Sequence, residues 1–259
     1  MNETSIMKNS FPQKVALVTG GSRGIGAATC LQLAKAGYAV VVNYAASQTI
    51  TDELCKSIIA AGGAALGLQA DVSDEGQVLA MFEQIDKRFG RLDALVNNAG
   101  VVDMAARLDE MSVTRWRRMF DINVIGSFTC AREAVQRMST RYGRSGGAIV
   151  NLSSAAAKIG SPGQYLDYAA SKGAIDTFTL GLAKEVAAEG IRVNGVRPGI
   201  IDTDIHASGG LPNRALQMAP QVPMQRGGTA QEVAEAICWL LSDSASYVTG
   251  TTIDVTGGR

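Results

Sequence analysis

KVALVTGGSRGIGAATCLQLAKAG, residues 14–37, decides the fold. Its first six residues form a short apolar run, the pattern of a strand buried on both faces. From Ile25 onward the apolar residues recur at spacings of three and four, the pattern of an amphipathic helix. Between strand and helix stands TGGSRGIG, residues 19–26. Gly20, Gly24 and Gly26 suit a phosphate-binding turn: one glycine makes the tight turn, and the others let backbone amides and the helix amino terminus approach a pyrophosphate. Ser22, Arg23 and Ile25 belong to the same turn and are placed with it against a dinucleotide. Glycines at this spacing are weakly specific alone; the weight comes from the context, a turn that follows the first strand and opens a helix.

The same rhythm continues outward. Short apolar runs recur at 38–44 (YAVVVNY), 64–70 (AALGLQA), 93–99 (DALVNNA), 147–153 (GAIVNLS), 191–196 (IRVNGV) and 251–256 (TTIDVT), which with the first makes seven strands. Helical patterns such as EGQVLAMFEQIDKRFG and AQEVAEAICWLLSD lie between them. Apolar strands joined by helical crossovers predict an α/β architecture, a doubly wound parallel sheet of seven strands with helices on both faces. Residues 14–259 read as one domain, and the polar, aperiodic residues 1–13 as a loose tail. Residues 198–228 hold four of the six prolines and five glycines. A loop this long is usually functional; the stretch from about 202 to 228 reads as a substrate lid or, alternatively, as a variable surface excursion.

Composition narrows the function. In 259 residues, 24 Lys+Arg balance 24 Asp+Glu, so no basic field exists to hold nucleic acid or an anionic membrane. No apolar run reaches the length of a membrane span, and the first thirteen residues lack a signal peptide's apolar centre, which predicts a cytoplasmic protein. Cys30, Cys55, Cys130 and Cys238 have no paired spacing and read as reduced core fillers, not a disulfide framework or metal site.

Two ends of a site can be read on the strand termini. At the end of the second strand a dinucleotide site normally has an acid that holds the adenosine ribose; here stand Asn43 and Tyr44. Arg23 could contact a 2′-phosphate through its guanidinium, which favours NADP(H) over NAD(H). The other reading is a solvated Arg23 and use of both cofactors. Toward the C-terminal half, Tyr168 and Lys172 lie at i and i+4 of a helical pattern, on one face. An ammonium near a phenol favours the phenolate and would bring it toward working range. Ser153 and Ser154 end one strand and Asn97, Asn98, Ala99 and Gly100 another, on the rim where such sheets bind ligands.

The joint set resembles the short-chain dehydrogenase/reductase family from about Lys14 to Gly258. Its motifs stand in the family's order: TGGSRGIG, Asp71-Val72, NNAG at 97–100, Asn123, Ser154, Tyr168-x-x-x-Lys172, and Pro198-Gly199 followed by Thr203. The resemblance implies a Rossmann fold in which Ser154 polarises the substrate carbonyl and Tyr168 is the general acid in reduction and the base in oxidation. Lys172 would lower the tyrosine pKa and bind the nicotinamide ribose, and Asn123 would hold a water in a proton relay. Asp71 and Val72 would contact adenine, Asn97, Ala99 and Gly100 would line the cofactor, and Pro198, Gly199, Ile201 and Thr203 would meet the nicotinamide end and phosphates. Ser154 lies fourteen residues before Tyr168, where many members have thirteen; Ser153 would be fifteen away.

The resemblance further implies a homotetramer, for which the long helical stretches at 112–141 and 165–189 and a C-terminal edge strand would supply surfaces. The expected reaction is hydride transfer between NADP(H) and a carbonyl or secondary alcohol of a small substrate, a 3-oxoacyl thioester or another ketone. A sugar or polyol dehydrogenase is the alternative, and a non-turning-over cofactor sensor is a third reading. Tyr165 reads as either a substrate-facing ring or a packed loop aromatic. His206, the single histidine, reads as a surface residue or, less simply, a catalytic part.

Overall fold

All seven expected strands form, and they pair in parallel throughout. They are β1 (Val15–Val18), β2 (Ala39–Tyr44), β3 (Ala64–Gln69), β4 (Ala94–Asn97), β5 (Gly147–Leu152), β6 (Ile191–Pro198) and β7 (Thr252–Val255), in the order β3-β2-β1-β4-β5-β6-β7. A computed structural model describes residues 13–203, 209–211 and 213–259. The helices are α1 (Gly24–Lys35), α2 (Gln48–Ala60), α3 (Glu75–Phe89), α4 (Val113–Phe120), α5 (Gly126–Met138), α6 (Ala156–Ile159), α7 (Leu166–Val186), α8 (Arg214–Met218) and α9 (Ala230–Leu241). Among the described residues, no helix is long and apolar enough to cross a membrane.

Strand alternation divides the core between two faces. Leu17, Val41, Leu95, Ile149 and Val193 pack under Phe82 and Ile85 of α3, Ala134 and Met138 of α5, and Ala183 and Val186 of α7. Their neighbours Val18, Val42, Val96 and Val150 face Leu33 of α1, Ile58 of α2, and Val233 and Ile237 of α9. This is why the runs carry no polar face. All four cysteines are free; Cys30, Cys55 and Cys130 are buried and Cys238 half-buried. Desolvation raises each thiol pKa, to about 12 at Cys130 and Cys238.

Two features depart from simple helical readings. The stretch at 112–141 is not one helix: a π-helical turn, Asp121–Ile125, separates α4 from α5 and carries Asn123. The 198–228 excursion is closed at its neck. Asp202 N donates to Gly228 O at 2.9 Å, and Gly228 N donates to Ile200 O at 2.9 Å. These bonds pair Ile201 with Gly228 and fix both ends of the excursion beside β6.

Candidate active site

The strand order reverses between β1 and β4, and the carboxyl ends of these strands, with those of β5 and β6, form one rim. The glycine turn lies on it. Gly20 (φ +59°) and Gly24 (φ +54°) occupy the left-handed region. At Gly26 a Cβ would lie 2.4 Å from Gly20 O and 2.7 Å from Asn98 Nδ2, so only glycine lets α1 pack this closely on the turn. Helices α3, α4 and α9 have their first turns capped by Asp74, Ser112 and Thr229; α1 has no side-chain cap. Its free amides and the absent side chains make a cradle that fits a pyrophosphate.

Side chains from two other strands hold that turn. Asn98 Nδ2 donates to Thr19 O and Gly20 O, both at 2.9 Å, while Thr19 Oγ1 accepts from Asn98 N and Ala99 N at 3.0 Å. Asn43 Oδ1 accepts from Gly20 N at 3.2 Å, and its Nδ2 donates to Ala70 O at 3.0 Å. Asn43 is thus buried and committed to the protein, a support for the turn and not a ribose contact. Tyr44 is likewise buried, its ring beside Gly67, so it does not stand at the rim as expected. The exposed positions past β2 are Ala45 and Ala46, which also carry no acid.

Asn97 requires the same correction. Its Nδ2 donates to Ser127 O (3.1 Å) and Asn151 Oδ1 (3.0 Å), inside the fold, and it is Asn98 that lines the cleft. Both residues sit in the NNAG motif; alternation along β4 sends the first inward. Ser22 is buried, Ile25 and Gly100 line the cleft, and Arg23 is exposed with no side-chain partner among the described residues. Val72 is buried against the start of α5 at Gly126, while the half-buried Asp71 uses Oδ1 to accept from Ser73 N and Oγ. Pro198, Gly199, Ile201 and Thr203 reach the same cleft, with Thr203 facing Gly24.

Ser154, Tyr168 and Lys172 come together across the end of β5 and the first turns of α7. Ser154 Oγ accepts from Ala156 N at 3.1 Å, and both Ser154 and Tyr168 line the cleft. Both serines border the cleft, but Ser153 is buried and its hydroxyl donates to Lys172 O at 3.1 Å, whereas Ser154 is half-buried and open to it. Desolvation pushes the Tyr168 pKa up, partly offset by the Ser154 hydroxyl. The Lys172 amine donates to Leu152 O at 2.7 Å and lies 5.7 Å from the Tyr168 ring centroid. Burial lowers the Lys172 pKa to about 8, against the pull of the Asp176 carboxylate one turn on.

Asn123 anchors the π-helical turn behind this group. Its Nδ2 donates to Val101 O (3.0 Å) and Ser171 Oγ (3.1 Å), and its Oδ1 accepts from Val101 N (2.8 Å). Its amide donors are spent on the protein, so it can hold a water only as an acceptor, and its Oδ1 borders Gly100 beside Lys172 Nζ.

Sequence reading missed a buried ion pair. Arg115 of α4 grips Asp167 through Nε (2.7 Å) and Nη2 (3.1 Å) and also donates to Met104 O. Asp167 Oδ1 in turn accepts from Tyr168 N at 2.9 Å, so the pair sets the start of α7. An acid directly before the tyrosine was the available signal, but its partner 52 residues away was not readable. Tyr165 is buried yet lines the cleft, under the Arg214 guanidinium at 5.0 Å. His206 lies outside the described residues. Among those described, no group of three or more His, Cys, Asp or Glu could hold a metal.

Fold and rim together define a dinucleotide-binding oxidoreductase, and comparison with known proteins agrees. Residues 20–259 match the family model described as Enoyl-(Acyl carrier protein) reductase. The chain is 58% identical to the uncharacterized oxidoreductase YgfF of Escherichia coli K12, over 95% of this chain and 99% of that protein. It is 40% identical to the 3-oxoacyl-[acyl-carrier-protein] reductase FabG of Staphylococcus aureus, over 95% and 97%. Its fold is similar to that of a short-chain dehydrogenase from Burkholderia cenocepacia J2315 in complex with NADP, with TM-score 0.86, 32% identity and coverage of 95% and 97%. The chain belongs to the short-chain dehydrogenase/reductase family. It is an enzyme, an oxidoreductase that exchanges hydride between a nicotinamide cofactor and a carbonyl or secondary-alcohol carbon.

Proposed function

We propose that the enzyme uses NADP(H) in preference to NAD(H) to reduce a carbonyl of a small substrate, with Ser154, Tyr168 and Lys172 as its working side chains. The carrying observation is that Ser154, Tyr168 and a buried Lys172 line one cleft at the end of β5 and the start of α7. With its pyrophosphate held in the cradle, the cofactor would supply the hydride from its nicotinamide. Ser154 Oγ holds the carbonyl oxygen, and Tyr168 gives that oxygen its proton. The raised tyrosine pKa suits this direction, since reduction needs a neutral phenol at the start of the step. Lys172, in the gap beside Gly100, is placed to bind the nicotinamide ribose and return the proton. Asn123 shapes that gap and offers one lone pair to a relay water.

Arg23 supports the cofactor preference: it is exposed, unpaired among the described residues and next to α1's uncapped start, with no carboxylate at the end of β2. The NADP complex of the Burkholderia neighbour is consistent with it. Residues 14–259 act as one catalytic domain in this reading, with 202–228 as the lid over the cleft. The protein works in the cytoplasm as a homotetramer, for which Phe120, Ile125, Phe128 and Leu180 offer exposed apolar surface on α4, the π-helical turn, α5 and α7.

The test is Tyr168→Phe. Turnover on a ketone with NADPH should fall by about 10² to 10⁴ while NADPH affinity is retained. Near-normal turnover in this variant would refute the proton-donor role, and lost NADPH binding would assign Tyr168 a structural one.

A further inference from the structure

We infer that the substrate of this cleft carries a carboxylate, which Arg214 of the lid receives while the carbonyl lies at Ser154 and Tyr168. This rests on the hydride-transfer reading and adds the substrate's chemical class. The cleft that holds Ser154, Tyr168 and Lys172 is also lined by Arg214 and Arg259, and no Asp or Glu lines it among the described residues. A concave site whose described lining carries cations and no acidic side chain attracts anions. Its walls between the two ends, Val102, Ala155, Ile159 and Ile200, are apolar. The matching ligand has an apolar body with a carbonyl at one point and an anionic group at another.

Arg214 is placed for that task. Its guanidinium lies 5.0 Å over the Tyr165 ring, and Nη2 donates to Gln164 Oε1 at 2.9 Å. The ring contact and this one bond hold the guanidinium, and among the described residues no other partner takes its remaining N–H donors, which can serve a carboxylate. No carboxylate of the described residues pairs with it. It differs in this from Arg115, Arg137, Arg197 and Arg226, whose guanidinium groups are taken by acidic partners. Arg214 is tied to the loop before α7 and not to the glycine turn, which separates it from the phosphate cradle. Arg259 makes no hydrogen bond or ion pair among the described residues. The carboxylates of the adjoining groove that it also borders, Asp254 and Glu232, are already engaged by Lys158, Arg197 and Arg226.

The test uses matched pairs, 4-oxopentanoate and 6-oxoheptanoate against their methyl esters, with NADPH and the full chain. The wild type should favour the acid over its ester in kcat/KM by about tenfold or more, mainly through KM. In Arg214→Gln that acid-to-ester ratio should fall about tenfold, with a smaller fall in Arg259→Gln. Because the ratio is taken within each variant, a partly damaged protein still reports it. An unchanged ratio in Arg214→Gln would overturn the proposal, as would a loss of NADPH affinity equal to the loss on the acids, which would assign the arginine to the cofactor. Calorimetric titration of acid and ester into the wild type separates the two levels. Preferential binding of the acid without NADPH oxidation would keep the anion site and refute hydride transfer to these ketones. Turnover of acid and ester alike would do the reverse, and equal binding of the two would overturn the anion site.

Discussion

The cofactor end and the substrate end of the cleft are built in different ways. At the cofactor end, eight consecutive residues make the cradle, and its working groups are backbone amides and missing side chains; Asn43 and Asn98 only hold it in place. At the substrate end Tyr168 and Lys172 are local to one helix, but what supports them and lines the cleft with them is not. Arg115 reaches Asp167 across 52 residues, and Arg214 reaches Gln164 across 50. A site made from backbone tolerates side-chain change except where an added atom collides. A site made from paired side chains fails when either partner is lost.

The largest effect should come from the substrate end. Asp167→Asn leaves Arg115 buried without its counter-charge, at side-chain exposures of 11% and 2% in the native pair. Removing one partner of such a pair costs about 3 kcal/mol or more. Chemical denaturation should show that loss, with a fall in kcat beyond it because Asp167 also receives Tyr168 N. An unchanged midpoint would show that the pair is dispensable and the two ends are alike.

Next comes the cradle. Gly26→Ala puts a methyl group 2.4 Å from Gly20 O, and overpacking of this kind costs about 1–3 kcal/mol. NADPH affinity, read by fluorescence titration, should fall about tenfold or more because the turn itself must move. Arg23→Ala acts on a side chain at the same end and should do less. It should weaken NADPH by about tenfold, reduced by solvent exposure, and leave NADH nearly unchanged. Equal loss for both cofactors would remove the 2′-phosphate from the reading.

The effect least tied to either end is a pH dependence. Burial holds the Lys172 amine at about 8 in the folded protein against an ordinary value of 10.5. Between those values the unfolded chain binds more protons, so this group adds stability as pH rises through the window. Thermal melts of wild type and Lys172→Met from pH 8 to 10 should diverge in favour of the wild type. A constant difference would mean that the amine titrates as an exposed one does.

The neighbouring asparagines show where sequence reading stops. NNAG was legible as a strand end on the rim, yet Asn97 turns into the fold and Asn98 supports the glycine turn, because alternation puts successive side chains on opposite faces. The same limit applies at β2, where Asn43 and Tyr44 were placed beside the ribose and are both buried. Tyr168 and Lys172 were paired correctly because four residues in a helix bring side chains onto one face. Ser154 was chosen over Ser153 by spacing; in the fold the buried Ser153 hydroxyl is spent on Lys172 O, and Ser154 is half-buried in the cleft.

By itself the sequence determined the seven strands, their burial on both faces, the glycine cradle and the Tyr–Lys face, since each is a pattern within a few consecutive residues where backbone geometry sets the period. Only the tertiary structure decided which asparagine meets the cleft, how burial shifts the tyrosine and lysine, and which distant residues hold the substrate end. Those outcomes depend on desolvation and on partners about fifty residues apart, and neither leaves a local period in the chain.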